Sequence, residues 1–153
     1  MKTLITRLIA FIISLLVFSA AIAHDLNEHQ ITTLLKKMFE KPDAPLTVTS
    51  VSVEGNSAVA GWIQGERGGR AFLQKEHGQW SIAICGGTGL TKAEVLQSVG
   101  LSNAEAARLA ESIGRKEDSL DPTKRRLLDG FEGMMRVGNG LAHDGHPTHT
   151  DQK

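Results

Sequence analysis

The sequence is poor in cysteine, in net charge and in long apolar segments, and each shortage argues against a class of protein. A single cysteine, Cys85, cannot form an internal disulfide, so the fold must rest on its apolar core. The 17 basic and 17 acidic residues balance each other, and no basic face for nucleic acid is evident. The one long apolar run lies near the start of the chain and is too short to cross a bilayer.

The start of the chain has the three parts of a secretory signal peptide. Lys2 and Arg7 supply positive charge, residues 8–18 form the apolar middle, and Ala21 and Ala23 stand at the small-residue end. We expect cleavage after Ala23 and a periplasmic or secreted mature protein; an uncleaved membrane anchor is the alternative. Loss of two of the 17 basic residues would leave 15 against 17 acidic ones, a net charge of −2.

The body of the chain predicts an α+β fold with an N-terminal helix, a four-stranded antiparallel meander and C-terminal helices packed on one face of the sheet. Apolar residues recur at helical spacing between residues 31 and 39. Segments of alternating apolar and polar residues, separated by glycine-bearing turns, then continue to Cys85 and predict the strands. We expect a β-bulge near Ser50, place Cys85 on the face opposite Trp80, and expect the helices to cover a single face.

The C-terminal half carries helix signals followed by a change of composition. Three helix starts are indicated by capping residues, namely Thr91 with Glu94, Ser102 with Glu105, and Asp121 before Pro122. Residues 131–137 are compatible with a helix or a strand, and their glycines favour a strand. We divide the chain into a signal peptide at 1–23, a single domain at 24–137, and a flexible His-containing tail at 138–153.

The motifs of common enzyme classes are absent from the sequence. It contains no G-x-S-x-G, no H-E-x-x-H and no P-loop pattern. The glycines that follow Cys85 are better explained by a tight strand-to-helix turn. Cys85 and His77 are predicted at opposite ends of one strand, too far apart for a nucleophile and its base. We therefore expect a protein that is not an enzyme.

Histidine placement is the feature that indicates metal binding. Five of the six histidines lie near the two ends of the mature chain: His24, His29, His143, His146 and His149. The last three form H-x-x-H-x-x-H, and neutral imidazole is the commonest protein ligand for metals such as Cu(II) and Zn(II). Cleavage before His24 would also join its free α-amine to its ring as a chelating pair. The alternative is that these histidines belong to two polar, solvated chain ends and bind no metal.

Three sulfur-bearing residues are further candidate metal ligands. Met134 and Met135 precede the histidines, and thioethers suit Cu(I). On a strand these two face opposite ways, so at most one joins a given site. Cys85 is either a ligand or a buried small hydrophobe.

Several short motifs occur in a fixed order along the chain. They are KPDAPLTV at 41–48, AVAGWIQG at 58–65, GGRA at 68–71, GQWSIAIC at 78–85 and FEGMMR at 131–136. Together with the His-containing end they resemble the copper uptake system-associated proteins, a family of small exported bacterial proteins. The resemblance implies a periplasmic protein that works beside copper importers or copper chaperones, and it supplies no ligand set. The His/Met-rich motif of the better-known periplasmic copper chaperones is missing from this sequence.

We therefore expect an exported, non-enzymatic accessory protein associated with copper uptake, which binds copper or helps to deliver it. The alternative is a protein–protein interaction module that binds no metal itself. Its partner would be a periplasmic copper chaperone or an outer-membrane copper receptor.

Overall fold

A computed structural model describes residues 25–137 and confirms the α+β prediction. The predicted signal peptide, His24 and residues 138–153 lie outside the described residues. Residues 138–153 are called the His-containing segment below. Within residues 25–137 no helix is both long enough and apolar enough to cross a membrane.

The described chain runs through one helix, four strands, three helices and a last strand. Helix α1 covers residues 25–39. The meander follows as β1 Thr47–Glu54, β2 Ser57–Gln64, β3 Arg67–Glu76 and β4 Gln79–Gly86. After a 3-10 turn come α2 Ala93–Ser98, α3 Asn103–Asp118, α4 Pro122–Asp129 and β5 Met134–Arg136.

The described strands form an antiparallel sheet in the order β1-β2-β3-β4-β5, and tight turns join the first four. In the turn between β3 and β4, His77 and Gly78 have φ of 50° and 82°, and a type I′ hairpin turn requires positive φ at both positions. The register of β1 with β2 shifts between Val48 and Ser50, which confirms the predicted bulge.

A second bulge, in β4, changes the faces that its residues occupy. The register with β3 shifts between Phe72 and Leu73, and Ala83 of β4 is left without an opposite residue in β3. Cys85 therefore lies in the same cluster as Trp80. The sequence-based assignment of these two residues to opposite faces was wrong because strict alternation fails at a bulge.

Helices cover both faces of the sheet. On one face Ile31 and Leu35 of α1 pack against strand residues that include Leu73. The opposite face carries a second cluster with α2, α3 and the 3-10 turn: Val59, Phe72, Ile84, Leu90, Leu96, Leu101, Ala106, Leu109 and Ile113. Helices α2 and α3 thus share one face, as predicted, whereas α1 takes the other. Burial on both faces explains why the middle of β2 is continuously apolar.

Side-chain caps begin the two helices that precede β5. Ser102 and Glu105 form the predicted reciprocal capping box at the start of α3. The Asp121 side chain accepts a hydrogen bond from the backbone N–H of Thr123 at 2.7 Å, and Pro122 occupies the first turn of α4. Both predicted starts are confirmed.

The start of α2 differs from the prediction. The Thr91 hydroxyl donates to the carbonyl of Thr88 at 2.8 Å and belongs to the 3-10 turn. Helix α2 has Lys92 at its N-cap with no side-chain cap, so the predicted capping box of Thr91 with Glu94 is wrong. The 3-10 turn supplies the change of direction between β4 and α2.

Residues 131–137, which the sequence left open between helix and strand, contain a short edge strand. Met135 of β5 pairs with Cys85 of β4. The Val137 backbone N–H donates to the carbonyl of Ala83 at 2.9 Å and continues the ladder by one residue. The meander therefore gains β5 as a fifth strand.

Candidate functional site

The candidate ligands fall into two groups by location. His24, His143, His146 and His149 lie outside the described residues, whereas His29 is exposed on α1. Cys85 lies on β4, and Met134 and Met135 lie on the neighbouring strand β5. Within residues 25–137 no group of three or more His, Cys, Asp or Glu side chains is placed to hold a metal ion.

The pairing of β4 with β5 sets which way the two methionines face. Met135 lies directly opposite Cys85, and opposite residues on paired strands share a face. Met134 lies opposite Gly86, and its Cγ is 3.2 Å from the point that a Cβ on this glycine would occupy. The two thioethers therefore take opposite faces of the sheet edge, as neighbours on a strand must.

The thioethers of Met134 and Met135 differ from the thiol of Cys85 in their exposure to solvent. Met134 and Met135 are 54% and 56% exposed, whereas Cys85 is 4% exposed. Burial raises the pKa of the Cys85 thiol to about 11, so the thiol is protonated at neutral pH. A cysteine binds metal as the thiolate. Both thioethers are thus exposed, whereas the protonated, buried thiol disfavours Cys85 as a ligand.

We expect Cys85 to make the domain less stable at alkaline pH. Its pKa rises from 9.0 in a solvated thiol to about 11 in the folded domain, so the folded state keeps the proton to higher pH. The stabilisation that comes from the protonated, buried thiol is complete below about pH 9. It is lost as the pH rises to about 11, and the free energy of unfolding then falls by about 2–3 kcal/mol. Urea unfolding across this range measures it. Cys85→Ala should remove this part of the pH dependence, and an unchanged slope in the variant would contradict the assignment.

A small cavity adjoins the Met134 side of β5. It has a volume of about 360 Å³ and is lined by the glycine loop and the start of β5: Gly87, Thr88, Gly89, Phe131, Gly133 and Met134. The loop brings no side chain larger than threonine to this cavity. An exposed thioether therefore stands beside open space, and the residues that line this cavity include no His, Cys, Asp or Glu.

A second cavity, of about 460 Å³, lies between the β2–β3 turn and the end of α4. Trp62 and Phe131 form its aromatic wall, with ring centroids 6.2 Å apart in an edge-to-face arrangement. Arg67 and Arg126 stand at its border. Phe131 lines both cavities, so the segment between α4 and β5 separates them.

A buried ion pair beneath α4 was missed by the sequence reasoning. The Arg70 Nε and Nη2 atoms donate to the two carboxylate oxygens of Glu117 at 2.8 and 2.6 Å. Nη1 donates to the carbonyl of Leu128 at 3.1 Å, and Nη2 donates to Asp129 at 3.0 Å. Burial alone lowers the pKa of Arg70, but the hydrogen bonds and charges of Glu117 and Asp129 outweigh it, so the net shift is upward. The sequence did give one indication of this burial, because Arg70 stands directly before an apolar run.

His77 lies far from the thioethers of β5, and Trp80 packs beside α1. His77 occupies the β3–β4 turn, eight residues before Cys85 in sequence, and an extended strand of that length spans about 25 Å. Trp80 is buried beside α1, where its Nε1 donates to Asn27 Oδ1 at 3.2 Å. The hairpin turn thus accounts for His77, and packing beside α1 accounts for Trp80.

Among residues 25–137, the two thioethers of β5 are exposed, and a cavity lies beside one of them. No family model matches the sequence, and neither a curated protein nor a solved structure matches it.

Proposed function

We propose that this chain is an exported, non-enzymatic accessory protein of copper uptake that binds copper or helps to deliver it. The observation that carries the proposal is the pair of exposed thioethers on β5, immediately before the histidines in sequence. Thioethers prefer Cu(I) and imidazoles bind both Cu(I) and Cu(II), so the two ligand types together suit copper better than Zn(II).

The spacing along the chain lets both ligand types serve one ion. His143 follows Val137, the last described residue, by six positions, and six residues extend at most about 20 Å. The first of the three histidines can therefore reach either thioether of β5 without any rearrangement of the domain. His146 and His149 lie within a few residues of it and can complete the coordination.

Export is the second part of the proposal. The signal-peptide pattern that ends at Ala23 would bring the mature protein to the periplasm or outside the cell, where no internal disulfide is needed because the domain has its own core. The ordered motifs that resemble the copper uptake system-associated proteins point to the same compartment. His24 and His29 would then form a second, N-terminal group of imidazoles.

Replacement of His143, His146 and His149 by asparagine tests the proposed ligands. We expect copper affinity, measured by titration against a competing chelator, to fall at least about tenfold, which corresponds to about 1.4 kcal/mol. His77→Asn is the matched control, because asparagine tolerates the positive φ of that turn and the site is remote from β5. Equal affinities in the triple variant and the control would refute a role for these histidines.

Among the described residues β5 is an edge strand, and this position also favours a second candidate function, a protein–protein interaction module for a copper chaperone or an outer-membrane copper receptor. Exposed apolar side chains on an edge strand are a common basis for strand pairing with a partner. Removal of residues 138–153 discriminates the two functions. A metal-binding protein loses copper affinity on truncation, whereas an interaction module keeps its partner and never binds copper tightly.

A further inference from the structure

The cavity of about 460 Å³ between the β2–β3 turn and the end of α4 has a lining that the proposed function does not use. We call it the aromatic cavity, because Trp62 and Phe131 form one wall with their ring centroids 6.2 Å apart. Its volume lies within the range of about 300–1,000 Å³ that is usual for small-molecule sites. All the residues that line it belong to the described part of the chain.

Two consecutive glycines of β3 let the walls of the aromatic cavity pack closely. A Cβ at Gly69 would lie 3.0 Å from side-chain atoms of both Trp62 and Phe131, so the absence of a side chain here lets the two rings meet. A Cβ at Gly68 would lie 2.8 Å from the backbone carbonyl of Leu127, so the end of α4 rests directly on the strand. Because the walls pack against backbone, the cavity is formed before a ligand arrives.

Charged side chains of both signs complete the lining. The β2–β3 turn brings Glu66 and Arg67, which are neighbours in sequence, and the α4 side brings Arg126 and Glu132. All four are exposed. Among the described residues none of the four forms an ion pair, and their one side-chain hydrogen bond runs from Arg126 to Thr123 at 3.3 Å. Each side of the cavity thus offers an acid and a base to a ligand.

The balance of charge indicates the class of ligand. A purely anionic ligand would meet the two glutamates as well as the arginines, and a purely cationic ligand would meet the two arginines as well as the glutamates. A molecule with an ammonium group and a carboxylate on one carbon avoids both conflicts, because each of its charges finds an opposite charge on the same side of the cavity. A peptide carries its two terminal charges further apart and fits this arrangement less well.

We propose that the aromatic cavity binds a free α-amino acid with an aromatic side chain. The carboxylate accepts hydrogen bonds from Arg67, whose guanidinium has no partner among the described residues, and the ammonium group donates to Glu66. The aromatic side chain packs against Trp62 and Phe131 and extends their edge-to-face contact. This binding requires no copper, so it goes beyond the proposed function and does not depend on it.

NMR titration of the mature chain with L-phenylalanine tests the proposal. The sequence contains two tryptophans, so two indole N–H signals report on binding. We expect the Trp62 signal to shift and the Trp80 signal to stay in place, because Trp80 pairs with Lys75 at the other end of β3. Hydrocinnamate lacks the ammonium group, phenethylamine lacks the carboxylate and L-alanine lacks the ring. Each should bind at least about tenfold more weakly than L-phenylalanine.

The double variant Glu66→Gln/Arg67→Gln tests the two assigned contacts. Both side chains are exposed, so the domain should fold normally, and affinity for L-phenylalanine should fall at least about tenfold because both charges that hold the ligand are lost. Glu111→Gln/Arg115→Gln is the matched control. It removes the same two residue types from an exposed ion pair on α3, away from the cavity lining, and should leave affinity unchanged.

Four results would overturn the proposal. Equal affinities for L-phenylalanine and hydrocinnamate, or for L-phenylalanine and phenethylamine, would show that the two charges are not read together. Equal affinity for L-alanine would show that the aromatic wall plays no part. Equal affinities of the two double variants would remove Glu66 and Arg67 from the site. An unmoved Trp62 signal at millimolar L-phenylalanine would rule out the site itself. Because the titration contains no copper, each of these results leaves the proposed function standing.

Discussion

Replacing Arg70 by methionine is expected to lower the free energy of unfolding by about 3–5 kcal/mol. Arg70 is 2% exposed and its bidentate partner, Glu117, is 7% exposed, so the variant leaves a carboxylate in the protein interior without its counter-charge. The carbonyl of Leu128 also loses its donor, which weakens the attachment of α4 to β3. Urea unfolding monitored by circular dichroism gives the value.

Two further variants show whether the loss comes from the unpaired charge. Arg70→Met combined with Glu117→Leu removes both buried charges, and we expect it to recover most of the stability because an apolar pair of similar volume can replace a buried ion pair. Arg108→Met breaks the exposed pair with Glu54 and should cost less than about 1 kcal/mol. A double variant as unstable as Arg70→Met would show that packing, and not charge, explains the loss.

Gly87→Ala is expected to destabilise the domain by about 1–3 kcal/mol and to loosen β5. A Cβ at Gly87 would lie 2.3 Å from the backbone carbonyl oxygen of Phe131, closer than any unstrained contact. The segment between α4 and β5 must then move, because the obstacle is backbone and not a flexible side chain. Urea unfolding measures the stability, and exchange of the Met135 and Val137 amides reports on the β4–β5 pairing.

Gly89→Ala provides the control within the same loop. A Cβ at Gly89 would meet Met134 Sδ at 3.9 Å, which is ordinary van der Waals contact, so we expect a change within about 0.5 kcal/mol. Similar effects of the two alanines would mean that the loss of any glycine in the loop is harmful. In that case the close approach at Phe131 would not be the cause.

Local patterns account for the parts of the fold that the sequence predicted. The hairpin turns, the bulge near Ser50 and the starts of α3 and α4 depend on residues within a few positions of one another. The alternation of Met134 and Met135 on β5 follows from the same short-range geometry. Short stretches of sequence are therefore sufficient to predict these features.

Long-range pairing accounts for the parts that local patterns did not reveal. The bulge at Ala83 depends on how β4 meets β3, and it reversed the expected face of Cys85. Arg70 finds its partner Glu117 47 residues further along the chain. The position of α1 on the other face could have been predicted, because the continuous apolar stretch in β2 indicates burial on both faces of the sheet. Metal binding by the histidines that lie outside the described residues stays a prediction.

Comparison of Cu(I) affinity between the mature chain and an isolated peptide of residues 138–153 tests the central claim most directly. Both would be titrated against the same competing chelator, with Met134→Leu/Met135→Leu as a third sample. If one thioether of β5 and the histidines bind one ion, the mature chain should bind at least about tenfold more tightly than the peptide, and the double variant should lose that advantage. Equal affinities of chain, variant and peptide would contradict a copper site on this domain.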